Sequence, residues 1–77
     1  MIHNRIALLR AEKHMSRQRL AELVDVNPQT IGFIERGDYF PSLELAFKIA
    51  GVFGVAITTV FSEAPFTPLF TKDKEQQ

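Results

Sequence analysis

The stretch NPQTIGFIERG, residues 27–37, carries the signals of a short helix with both ends marked. Asn27 is a favoured N-cap residue, and Pro28 suits the first helical position because its missing N–H would have no partner there. Gly37 suits the left-handed residue that follows a last helical turn. The stretch therefore predicts a helix over residues 28–36.

The outward side of this helix differs from an ordinary solvated surface. Successive residues lie about 100° apart around a helix axis, so Ile31 and Ile34 define a single buried direction. Away from that direction point Gln29, Gly32, Phe33 and Arg36. They offer an amide, a gap where the backbone can be approached closely, an apolar ring and a cation, which suit the reading of base edges in the major groove. The pattern indicates a helix that is presented to DNA.

Helical spacing of apolar residues predicts four more helices. They are expected over residues 4–13, 16–24, 43–53 and 57–61. Ser16 and Ser42 are placed to cap two of them. The helix over 43–53 has few polar positions and is expected to be central, whereas β-branched residues weaken the prediction for the last one. A break of about three residues joins the second helix to the third, which is the geometry of a helix-turn-helix.

The segment after the last helix has a different character. Pro65 and Pro68 rule out a regular helix there. We therefore predict one domain over residues 1–63 and an irregular carboxyl-terminal arm over residues 64–77, with a frayed polar end. The apolar residues of this arm that need burial are Phe66, Leu69 and Phe70. The pattern leaves open whether they pack against their own bundle or against a second copy of the chain.

Composition restricts the class of protein. The 77 residues leave room for one core, and 45% hydrophobic with 23% charged residues is typical of a folded globule. The sequence contains no cysteine, which excludes disulfide scaffolds and thiolate metal sites. The net charge of zero conceals a weak polarity, since residues 1–36 carry six basic and four acidic residues. No apolar run is long enough to span a bilayer and no signal peptide follows Met1, so we expect a cytoplasmic protein without a membrane partner.

The run SRQRLAELVDVNPQTIGFIERGDYFPSLELAFKIAGVFGVAITTVF resembles the Cro/C1-type (XRE) helix-turn-helix family of small bacterial and phage regulators, and NRIALLRAEKHMS resembles that family's first helix. The resemblance implies an all-α, five-helix, lambda-repressor-like DNA-binding domain. It also implies a sequence-specific regulator of double-stranded DNA, interpreted here as a repressor that binds an inverted repeat as a dimer. Helix 16–24 would lie across the DNA backbone and helix 28–36 would be the recognition helix. No cofactor or small-molecule ligand is expected.

The resemblance also assigns roles to individual residues. Base reading is expected first from Gln29, whose amide can bond adenine in two places, and then from Phe33, Gly32 and Pro28. Phosphate contacts are expected from Arg17, Thr30, Asn27, Arg36, Tyr39 and Arg19. Alternatives stay open at this stage: Gln29, Arg19 and Arg36 as solvated side chains, and Phe33 as a contact to a loop or partner. Arg17 stands at a helix N-terminus, where a cation is unfavourable unless a phosphate is near.

Two of the expected roles are structural. Arg10 and Glu35 occupy positions where the resemblance suggests a partly buried ion pair between the first and third helices. Dimerisation is expected through the fifth helix and the arm, by Phe61, Phe66, Leu69 and Phe70. Three positions depart from the family pattern, namely Asp25 in the turn, Gly32 inside the recognition helix and Ala56 where a capping residue usually stands.

Catalysis finds little support in the sequence. His3 and His14 are too few and too far apart for a metal site, and Ser16 and Ser42 have no matching His/Asp arrangement. We therefore expect a protein that is not an enzyme. The rival interpretation is a protein-interaction module, an antitoxin-like chain that binds a toxin through its arm and binds DNA only in that complex. The near-zero net charge is compatible with this rival.

Overall fold

A computed structural model describes residues 1–66 of the 77-residue chain. Within that range five helices and a pair of two-residue strands follow in order: β1 His3–Asn4, α1 Ile6–Glu12, α2 Arg17–Val24, α3 Pro28–Arg36, α4 Leu43–Phe53, α5 Ile57–Val60 and β2 Phe61–Ser62. The predicted five-helix, all-α fold is confirmed. Among the described helices, none has the length and apolarity that a membrane span requires.

Three helices begin at the predicted caps. In each, the capping oxygen accepts a hydrogen bond from a first-turn amide: Ser16 from Arg19 at 3.0 Å, Asn27 from Gln29 at 2.8 Å and Ser42 from Leu45 at 3.1 Å. These bonds satisfy amides that have no partner within the helix itself, which confirms the three caps. Ala56 cannot make such a bond, and α5 is correspondingly only four residues long.

Helices α2, α3 and α4 each end on a residue with left-handed backbone, and a fourth such residue, His14, follows Lys13, the residue that ends α1. Their φ angles are 53° at His14, 61° at Asp25, 82° at Gly37 and 68° at Gly54. The next amide then bonds the carbonyl five residues earlier, as in Asp38 N to Phe33 O at 2.9 Å. The sequence pattern predicts such an end at Gly37, and aspartate adopts the left-handed conformation of Asp25 more readily than most residues do. The pattern predicts the break between helices 4–13 and 16–24 but does not indicate the left-handed conformation of His14 within that break.

The two short strands join the ends of the described chain. β1 and β2 pair antiparallel, with His3 opposite Ser62 and Asn4 opposite Phe61. Phe61, predicted as the last residue of the fifth helix, is instead extended, with φ −123° and ψ 146°. The helix prediction was therefore too long by one residue. The reason is tertiary, because pairing with β1 offers the backbone of Phe61 partners that a fraying one-turn helix does not.

The core lies between α2, α3 and α4 and fixes the direction of α3. It is formed by Ile6, Leu20, Ala21, Val24, Ile31, Ile34, Ile49, Ala50, Phe53 and Val60. Asn4 adds a polar anchor, since its Nδ2 donates to the Ile34 carbonyl at 3.0 Å while its Oδ1 accepts from the Ile6 amide at 3.1 Å. The buried side of α3 is thus held at both of its isoleucines, and the opposite side is left outward.

Candidate nucleic-acid interface

α2 and α3 pack against each other across the short turn that contains Asp25. Leu20 and Val24 of α2 and Ile31 and Ile34 of α3 are at most 2% exposed. Burial of these four side chains fixes the angle between the helices, because large apolar side chains determine how close two helices can come. The arrangement supports α3 along one side and leaves its other side free to enter a groove.

A shallow cleft of about 420 Å³ lies on the outward side of α3. It is lined by Arg17, Pro28, Gln29, Gly32, Phe33 and Arg36. All six belong to the residues predicted for DNA contact, and the cleft includes each predicted base-reading residue. Phe33 is 46% exposed although it is a large apolar side chain. Gly32 is buried, since the side chains of Arg17 and Arg36 cover it.

Glu35 holds two arginines from two different helices. Its carboxylate accepts from Arg10 Nε at 2.7 Å and from Arg17 Nε at 2.9 Å, and its side chain is only 5% exposed. Arg10 donates further to the Met15 carbonyl at 2.9 Å. The contact between Arg17 and Glu35 is not evident from the sequence, because 18 residues separate them. Through it, the same carboxylate that ties α1 to α3 also orients a cation at the edge of the cleft.

Arg36 folds back along α3 instead of extending from its end. Its guanidinium carbon lies 5.1 Å from the centre of the Phe33 ring, a cation–π distance. Its Nε donates to Asp38 Oδ2 at 3.2 Å. Its Nη1 would lie 3.4 Å from a Cβ placed on Gly32. The guanidinium is therefore located over the middle of the outward side, beside the predicted base readers.

The other predicted phosphate contacts lie around this cleft rather than in it. Thr30 is half-buried, and the Asn27 side chain is occupied as the cap of α3. Arg19 pairs with Glu22 at 3.3 Å, with both side chains more than half exposed. Tyr39, in the loop after α3, is 49% exposed. Their DNA roles stay predictions.

A family model described as "Helix-turn-helix" matches residues 6–60, which include α1 to α5. The match covers well over half of the chain. This protein belongs to the helix-turn-helix family of Cro/C1-type transcriptional regulators. The membership agrees with the resemblance noted in the sequence, and it places this chain in a family of DNA-binding regulators.

Relatives support the same assignment. An uncharacterized HTH-type transcriptional regulator of Archaeoglobus fulgidus is 45% identical over 60 residues, which are 78% of this chain and 84% of that protein. The regulator MJ0272 of Methanocaldococcus jannaschii is 47% identical over 58 residues, or 75% of this chain and 88% of that one. A crystal structure from Bacteroides fragilis has a TM-score of 0.73 at 29% identity and covers 80% of this chain and 100% of that one.

The residues predicted for dimerisation are only partly described. Phe61 is half-buried in β2. Phe66 lies against the Arg5 guanidinium, whose carbon is 3.9 Å from the ring centre. Leu69 and Phe70 lie outside the described residues. The Arg5 contact is not evident from the sequence pattern, and it covers part of Phe66 within the same chain.

An apolar groove of about 260 Å³ lies next to Phe61. This apolar groove is lined by Ile2, Phe40, Pro41, Leu43, Ala46, Ile57 and Phe61 itself. Leu43 is 69% and Phe40 is 53% exposed, which is high for such side chains. The sequence pattern does not indicate this surface, because α4 is apolar on nearly every side and its pattern does not show which side stays uncovered. Residues 1–66 contain no group of three or more acidic or histidine side chains that would hold a metal ion.

Proposed function

We propose that this helix-turn-helix protein is a repressor that binds double-stranded DNA as a dimer and reads an inverted repeat with α3. The observation that carries the proposal is the outward cleft on α3, where Gln29 lies with two arginines and an exposed phenylalanine. Such a combination matches the donors and apolar groups that discriminate base pairs in the major groove. We place its site of action in the cytoplasm, where a bacterial or archaeal regulator meets DNA.

Gln29 is the proposed first base reader. It follows the Asn27 cap and Pro28, so its amide is at the N-terminal end of α3, the part of a recognition helix that contacts base edges. The side chain is exposed. A glutamine amide donates and accepts at once, which matches the N6 and N7 atoms of adenine. Arg17, which begins α2 and pairs with Glu35 of α3, is the proposed phosphate contact that fixes the register of α3 on the duplex.

Dimerisation follows from the size of one reading unit. One α3 can read only a few base pairs, and a two-fold pair of such helices reads two half-sites about one DNA turn apart. We propose that the second copy contacts Phe61 and the apolar groove beside it, together with the arm. A two-fold contact uses the same patch on both copies, so an apolar patch that is continuous across α4, α5 and β2 is suited to it. Repression then requires only that the dimer occupy a promoter.

The first test is selection of bound duplexes from a randomised pool at physiological salt, with wild type and Gln29→Ala in parallel. We expect wild type to enrich an inverted repeat with half-sites about 10 base pairs apart. We expect Gln29→Ala to lose discrimination at one position of each half-site by about 5- to 150-fold, which corresponds to the roughly 1–3 kcal/mol of a bidentate base contact.

Gln18→Ala is the matched control. Gln18 is an exposed glutamine on α2 that does not line the cleft. A lost backbone contact there would weaken binding on all sequences equally and would leave the selected motif unchanged. If wild type enriches no sequence and binds only weakly with a steep dependence on salt, the proposal is wrong. The antitoxin-like interpretation, with a protein partner required for DNA binding, would then be preferred.

A further inference from the structure

Arg17 and Arg36 converge on a single point over Gly32. Their Nη1 atoms would lie 3.8 Å and 3.4 Å from a Cβ at that residue. The Nε of each arginine donates to a carboxylate of the same chain: Arg17 to Glu35 at 2.9 Å and Arg36 to Asp38 at 3.2 Å. The terminal nitrogens are thereby turned toward the cleft. None of the six described residues that line the cleft is acidic, so the cleft lining offers these donors no carboxylate.

The two arginines are not equivalent. Arg17 begins α2 and stands at the edge of the cleft, where it is anchored to Glu35. Arg36 lies over the outward side of α3 itself, stacked on the Phe33 ring at 5.1 Å. That stacking holds a guanidinium plane beside an apolar ring that is 46% exposed. In a complex with α3 in the major groove, Arg36 would therefore lie beside base edges and Arg17 beside the phosphate backbone.

Arg36 and Phe33 have different preferred partners on DNA. A guanidinium bonds O6 and N7 of guanine with two parallel hydrogen bonds, and a phenylalanine ring packs against the methyl group of thymine. Successive bases of one strand are about 3.4 Å apart along the helix axis. The 5.1 Å between the guanidinium carbon and the ring centre is less than the roughly 6.8 Å of two base steps, so both side chains can contact neighbouring base pairs at once.

We propose that Arg36 reads a guanine and Phe33 reads the methyl group of a thymine in the adjacent base pair. Each half-site then contains this two-base element in addition to the base read by Gln29. The inference rests on the proposed function, since it names the bases that the same recognition helix selects. It also reassigns Arg36, expected from the sequence to contact phosphate, to base reading.

Modified bases test the inference on the duplex enriched by wild type. Each guanine in turn is replaced by 7-deazaguanine, which lacks N7, and each thymine by deoxyuridine, which lacks the methyl group. Fluorescence anisotropy should show one guanine per half-site whose replacement weakens binding about 5-fold or more. One thymine in an adjacent base pair should show a loss of about fourfold, the value of one buried methyl group.

Three variants assign these losses to side chains. Arg36→Ala removes the guanidinium and should be insensitive to 7-deazaguanine at that position. Phe33→Ala should be insensitive to deoxyuridine. Lys48→Ala, at an exposed cation of α4 outside the cleft, should keep both sensitivities. The inference is wrong if wild type tolerates 7-deazaguanine at every guanine, if the two sensitive bases are not neighbours, or if Arg36→Ala keeps the guanine sensitivity. Such outcomes leave the proposed function intact, whereas failure to enrich any sequence removes both.

Gly32→Ala provides a separate test of the space that the inference requires. The new Cβ would meet only the flexible ends of Arg36 and Arg17, at 3.4 Å and 3.8 Å, so the fold accommodates it. Because alanine is the better helix former, Tm should rise by several degrees. Affinity for the enriched duplex should nevertheless fall about tenfold, since the methyl group occupies the point on which the two guanidinium groups converge. An unchanged affinity would contradict a role in DNA binding for the guanidinium positions over Gly32.

Discussion

Replacing Glu35 with alanine should lower the free energy of unfolding by about 3 kcal/mol or more. The carboxylate is 5% exposed and accepts from Arg10 at 2.7 Å and from Arg17 at 2.9 Å. Its removal leaves Arg10, whose side chain is 16% exposed, as an uncompensated cation between α1 and α3. Since a domain of this size has a total stability of only about 4–12 kcal/mol, the loss should be visible as a large fall in Tm.

Glu22→Ala is the matched control for this change. Glu22 pairs with Arg19 at 3.3 Å, but both side chains are more than half exposed, so the loss should be within about 0.5 kcal/mol. Glu35→Gln keeps the shape and one acceptor oxygen and should lie between wild type and Glu35→Ala. Thermal unfolding followed by circular dichroism measures all three. An unchanged Tm combined with lost DNA binding would show that Glu35 acts at the interface and not in the fold.

Local sequence signals predicted helix boundaries correctly where a capping hydrogen bond or a glycine determines the backbone conformation. Ser16, Asn27 and Ser42 all accept the predicted bonds, and Gly37 has the predicted left-handed conformation. The left-handed conformation of His14 could not be predicted from such signals. Its conformation accompanies a bond from the Met15 amide to the Arg10 carbonyl at 2.9 Å, and no glycine or asparagine marks it.

Contacts between distant residues account for the features that the sequence pattern does not show. The strand pair joins His3–Asn4 to Phe61–Ser62, and a local window contains only one of the two segments. Helical periodicity placed Gln29, Phe33 and Arg36 outward, as they are found. It also placed Gly32 outward, yet this residue is buried, because Arg17 from α2 and Arg36 from the last turn of α3 cover it. Periodicity describes one helix and not what a neighbouring helix lays across it.

Replacing Leu43 with glutamate in the apolar groove should prevent dimerisation. Leu43 is 69% exposed and is the first residue of α4, where a carboxylate is favourable near the helix N-terminus, so the fold should be unaffected. In a dimer built on this groove, the new charge would be buried against apolar side chains of the second copy. We expect light scattering at tens of micromolar to show a dimer for wild type and a monomer for the variant.

DNA binding should follow the change in assembly. Two linked half-site contacts typically exceed a single one by about 100-fold or more, so Leu43→Glu should lose at least that factor on the full inverted repeat. Binding to an isolated half-site should be unchanged, because the groove contains no residue of α3.

Leu8→Glu separates assembly from charge. Leu8 is 53% exposed on α1 and lies outside the apolar groove, so this variant adds the same negative charge to a surface that the proposed dimer leaves free. It should remain dimeric and keep its affinity. If Leu43→Glu also stays dimeric with full affinity, the contact between copies lies elsewhere, while a wild-type monomer at these concentrations would contradict the dimer itself. A loss confined to Leu43→Glu would show that this regulator gains its affinity by pairing two copies across α4, α5 and β2.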